Sequence, residues 1–130
     1  MSSHASNLVL IGLQLATALG ILVFWIRWFR AEHDESAWPP GFRRHEQAFV
    51  VPDVILAMLL LASSLTSIGN PSLGSPLALV AAGMMLFLAL IDLAYFAQQG
   101  MFAVERGGVG NALVVGWLLA LSLSMILHHL

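Results

Sequence analysis

The chain has 130 residues, 59% of them hydrophobic and only 9% charged, with five Lys+Arg against seven Asp+Glu and a formal net charge of -2. A mean hydropathy of +0.89 is far above that of a soluble domain of this size, so lipid is the expected solvent. The acidic balance excludes a nucleic-acid surface, and zero cysteines exclude disulfides, thiolate metal sites, iron–sulfur clusters and cysteine nucleophiles.

Four apolar runs, approximately 7–28, 50–69, 76–98 and 109–127, divide the chain. Each is close to the roughly 20 residues that a helix needs to cross a hydrocarbon core about 30 Å thick. Open sheets are excluded because unpaired backbone groups in lipid cost several kcal/mol each, and the alternation of a β-barrel strand is absent. The expected fold is all-α: an integral membrane bundle of four transmembrane helices, a single domain over 1–130, in a membrane of the bacterial inner (plasma) type.

No Lys or Arg precedes the first run, which extends beyond a typical signal-peptide core into Trp25 and Trp28. It therefore reads as a retained helix. Gly12, Ala16 and Gly20 form a stripe of small residues along it, the kind of surface on which membrane helices approach closely. The run closes on Arg27 and Arg30.

The stretch 30–49 is the expected soluble loop, with Glu32-His33-Asp34-Glu35, then Trp38-Pro39-Pro40-Gly41, then Arg43-Arg44-His45-Glu46. Four of the five arginines lie here or just before it, and the fifth, Arg106, lies between the third and fourth runs. Both connections should be cytoplasmic, which gives an N-out/C-out topology. Trp25, Trp28, Trp38 and Phe42 beside the arginines read as an interfacial aromatic belt with cationic anchors. The acidic run around His33 is no metal site, because four adjacent residues point in different directions.

The second run carries Asp53 about four residues inside its start, and Glu46 precedes that acid by two helical turns. The two share a face if the helix begins early, although Pro52 weakens it there. Gly69-Asn70-Pro71 closes the run, and Ser75-Pro76 supplies a cap and a first helical position for the third. Asp92 lies about five residues before the end of the third run, followed by Tyr95, Phe96 and Gln99 on one stripe. Counted at about 1.5 Å per residue, Asp53 and Asp92 both sit roughly 6–8 Å inside the cytoplasmic leaflet. Gly107, Gly108 and Gly110 loosen the approach to the fourth run and lack the Lys of a P-loop. That run carries Asn111 near its start, then Trp117, and a second small-residue stripe of Ala112, Gly116, Ala120 and Ser124. His4, His33, His45, His128 and His129 all fall in tails or loops, none at the depth of a haem ligand, and no cofactor is expected.

Carboxylates in lipid are costly and mark functional sites. Asp53, Asp92 and Glu46 are the candidate acid–base residues, with Arg27, Tyr95, Gln99, Asn111 and Trp117 as candidate lining. The first reading is a binding or catalytic site for a lipid-soluble small molecule, where isomerisation, cyclisation or hydrolysis of an epoxide kind needs only proton exchange. A proton-coupled transporter would use the same acids. The third reading is a non-catalytic subunit of a larger membrane complex, in which Asp53 pairs with Arg27 and the acids only hold helices in register. Membrane lipids are the other expected partners, and the small-residue stripes lead to the expectation of a homo-oligomer.

Overall fold

A backbone that must satisfy its own hydrogen bonds in an apolar setting becomes helical, and this chain is helical almost throughout. The computed structural model describes residues 3–130, of which 86% are helical, with no strand among the described residues. Among the described residues five α-helices follow in order: α1 (Ser3–Arg30), α2 (Phe42–Gln47), α3 (Val50–Gly69), α4 (Pro71–Gln98) and α5 (Gly108–His129). Four stretches are long and apolar enough to cross a membrane: His4–Arg30, Phe42–Gly69, Pro71–Gln98 and Gly108–His129.

The connection after α1 is shorter than the 30–49 loop expected from composition. Asp34 caps a 3-10 turn at Glu35–Ala37 by accepting from the Ser36 backbone N–H at 3.1 Å. Trp38, which precedes a proline, is extended, as the following ring requires. Gly41 then takes φ 81, a left-handed conformation that side chains disfavour, and Phe42 N–H donates to the Pro39 carbonyl at 3.1 Å. Helix therefore resumes at Phe42. Ala48 and Phe49 keep right-handed helical angles, so α2 runs into α3 almost without a break. The step between them is tightened, with Phe49 N–H on the Glu46 carbonyl at 3.0 Å. Pro52 has no N–H to offer the Ala48 carbonyl, so that bond of the ladder is absent as well.

The third apolar helix starts five residues earlier than Ser75-Pro76 suggested. Asn70-Pro71 supplies the start instead: Pro71 occupies the first position, where a missing N–H costs nothing, and Leu73 and Gly74 N–H groups donate to the Asn70 carbonyl at 3.1 and 3.0 Å. Pro76 is left inside the helix. The hairpin is tight enough that a Cβ on Gly74 would lie 2.6 Å from Ser67 Cα.

The chain divides into two compact units, Met1–Ala78 and Leu79–Leu130. In the first, α1 packs on α3. Buried side chains fall at one-turn and two-turn spacings along each helix: Leu10, Gln14, Thr17, Trp25 and Trp28 on α1, and Leu56, Leu60, Ser63 and Ser67 on α3. Gly12, Ala16 and Gly20 lie on the exposed side of α1, not on this buried face. In the second unit, α4 contributes a buried stripe of Ala81, Ala82, Met85 and Ala89, each with 0% exposure. Its turn to α5 is closed by the Arg106 guanidinium donating to the Gln99 carbonyl at 2.8 Å and by Met101 N–H donating to the Phe96 carbonyl at 2.8 Å. Phe102 meets Phe96 edge-on beneath it, with ring centroids 5.8 Å apart. Ala112, Gly116, Ala120 and Ser124 are exposed on α5.

Candidate functional site

Asp53 stands in the first turn of α3 and is half-buried. Its hydrogen-bond partner is the Trp25 indole: Nε1–H donates to Oδ2 at 3.0 Å, from a ring that is only 4% exposed. Arg27, the partner that charge alone suggests, is exposed at the end of α1 and does not take this carboxylate. A neutral donor fixes the carboxylate without neutralising it. Among the described residues, Oδ1 has no protein partner.

Aromatic packing explains why the indole points to Asp53. Trp25 is held edge-on by Phe24 at 5.0 Å and by Trp28 at 5.9 Å, with Phe29 on another side at 5.9 Å. Trp25 lies five residues before the end of α1 and Asp53 three residues into α3, so the two agree in depth to within a helical turn. Glu46 is half-buried on α2, seven residues before Asp53 and separated from it by the tightened step at 48–49. His45 next to it packs edge-on against Phe49 at 5.2 Å.

A second polar group ties the same two helices nearer the other end of α3. Gln14 is 2% exposed, and its Oε1 accepts from Ser63 Oγ at 2.9 Å and from Ser64 Oγ at 3.1 Å. Ser63 Oγ also lies 3.1 Å from the Leu60 carbonyl, so its single proton has two acceptors to choose from. Sequence reasoning missed Gln14. The signal was present: it is the one amide between residues 8 and 28.

In the second unit, Asp92 is half-buried on α4, with Tyr95 and Phe96 one turn later and their rings 6.2 Å apart. Gln99 is exposed where α4 ends, and its carbonyl, rather than its side chain, is the group that Arg106 engages. Asn111 is held by the turn, with Nδ2 donating to the Met101 carbonyl at 2.9 Å. Trp117 is 44% exposed on α5. Thus the structure joins Asp53 to Trp25 within the first unit, and gives Asn111 and Arg106 turn-closing bonds in the second.

Near His33 the acidic run is occupied locally. His33 Nε2 donates to the Trp28 carbonyl at 2.9 Å, and Ser36 Oγ donates to Asp34 at 2.6 Å. Those two bonds from Ser36, side chain first and backbone second, hold the Asp34 carboxyl below the usual range. No known protein family, curated protein or solved structure matches the chain.

Proposed function

We propose that the chain is an integral protein of a bacterial inner-type membrane, crossing it four times with both termini outside the cytoplasm, and that α1 and α3 offer an inner-leaflet site for a lipid-soluble small molecule. Asp53 is the polar anchor of that site. The observation that carries this reading is the Trp25–Asp53 bond: a carboxylate set by a buried indole N–H and, among the described residues, with no partner on its second oxygen and no arginine upon it. A carboxylate kept only for stability would be cheaper as an amide, because a charge in lipid is costly at any depth beyond the interface. A positioned carboxylate with a free oxygen accepts a hydrogen bond from a ligand hydroxyl or amine and exchanges a proton with it, which is the requirement of acid–base chemistry. Glu46, two turns nearer the aqueous side, gives such a proton a route outward.

The non-catalytic reading also has an observation in its favour. Gln14 with Ser63 and Ser64 is a fully buried clasp between α1 and α3, and Trp25–Asp53 can be read as a second one.

Extraction and mass spectrometry of lipophilic molecules that co-purify with the protein separate the two. With Asp53→Asn, the site reading expects an unchanged melting temperature, because the amide oxygen still accepts from Trp25, together with loss of a compound that the wild type retains. Asp92→Asn in parallel reports whether the second acid is needed. An identical extract from Asp53→Asn would overturn the site reading and leave the clasp.

A further inference from the structure

The connection between α1 and α2 forms an open cleft of about 630 Å³ walled by Glu35, Trp38 and Phe42 and carrying Arg43 and Arg44. Its walls are stiff. Trp38 stacks on Trp28 with ring centroids 5.5 Å apart and planes within 6°, and meets Phe42 edge-on at 4.9 Å. Pro39 and Pro40 lock their own φ angles, and Gly41 turns the chain so that Phe42 N–H closes on the Pro39 carbonyl. A ligand entering such a cleft has little protein motion to freeze.

The charge in the cleft is unbalanced. Arg43 lies 3.3 Å from Glu35, and with both side chains about half exposed this contact is weak and readily exchanged. Arg44 is exposed and, among the described residues, has no protein acceptor. Two guanidinium groups against one carboxylate leave one positive charge, in a form that matches the planar oxygens of a phosphate. The neighbouring acids Glu32 and Asp34 are exposed outside the cleft, and Asp34 is turned to Ser36.

Position identifies the source of the phosphate. The cleft lies on the link between two helices that are each long enough to cross a membrane, one ending at Arg30 and the next beginning at Phe42. That is headgroup depth, and tryptophan beside arginine is the pairing that prefers it. We propose that this cleft binds the phosphate of an anionic phospholipid headgroup, with Arg44 as the principal cation, Arg43 as the second, and Trp38 and Phe42 against the glycerol region. The proposal rests on membrane insertion and is independent of a ligand at Asp53.

The test is lipid retention by the whole chain reconstituted into nanodiscs of phosphatidylcholine containing a minority of phosphatidylglycerol. Flotation of the protein with the discs first checks insertion separately. Wild-type protein is expected to hold phosphatidylglycerol in preference to phosphatidylcholine, and Arg44→Gln to reduce that preference about fivefold. Arg30→Gln makes the same charge change at the end of α1, outside the cleft, and is expected to have a much smaller effect. Equal losses in the two variants would mean general surface charge and would overturn the site. Displacement of phosphatidylglycerol by added inorganic phosphate would make this a soluble-anion site and overturn the lipid assignment.

Discussion

Asp53 meets a neutral N–H and not a guanidinium, so its neighbours respond to substitution in an asymmetric way. Trp25→Phe keeps the ring packed among Phe24, Trp28 and Phe29 but removes the indole N–H that donates to Oδ2. It should lower stability by about 1–2 kcal/mol, read as a fall in melting temperature in detergent, while Asp53→Asn stays near wild type. A pairing of Asp53 with Arg27 would produce the opposite ranking. At Asp34 the two bonds from Ser36 depress the carboxyl pKa, so the capped turn is favoured above the ordinary value of 3.8 and loosens as pH falls through the lower folded value. Ser36→Ala should move the Asp34 titration midpoint upward, as followed by the carboxyl carbon resonance. An unmoved midpoint would show that Ser36 is not the cause.

At the scale of the element, the α1–α3 pair is fastened by buried polar side chains. Gln14→Leu leaves Ser63 with the Leu60 carbonyl as acceptor but strips Ser64 of its bond to the amide. The expected cost is about 0.6–1.7 kcal/mol, the range for interhelical polar pairs in membranes, measurable by unfolding in mixed micelles. Ser64→Ala made in the Gln14→Leu background should then add almost nothing, and a fully additive double mutant would refute the pairing. The breaks between elements follow backbone chemistry more than side-chain periodicity. Pro52 marks the tightened step into α3, and Asn70-Pro71 rather than Ser75-Pro76 starts α4, because the first competent proline start after Gly69 is used.

For the whole molecule, the arginine distribution makes orientation testable. A reporter fused after Leu130 should lie outside the cytoplasm, and one inserted near Glu35 inside. The reverse result would invert the leaflet assigned to Asp53 and to the Arg43–Arg44 cleft. The exposed stripes Gly12–Ala16–Gly20 and Ala112–Gly116–Ala120–Ser124 lead to a second expectation, a homo-oligomer. A Cβ added at Gly12, Gly20 or Gly116 meets nothing within 4 Å, and Gly116→Leu should weaken crosslinking between copies in native membranes. Crosslinking that yields only monomer from the wild type would refute the assembly.

Helix content and the number of helices able to cross a membrane were legible from the amino-acid order. These properties depend on local composition: apolar runs near 20 residues leave the backbone no alternative to helix. Which face each helix buries was not legible. Helices that are apolar all round give periodicity nothing to mark, so the small stripe of α1 looked like its packing surface while Gln14, Trp25 and Trp28 took that place. The partner of Asp53 was decided in the same way, by the fold. Charge pointed to Arg27, but the depth match of α1 against α3 brought Trp25 to it across 28 positions of sequence, and a buried indole N–H that needs an acceptor held it there.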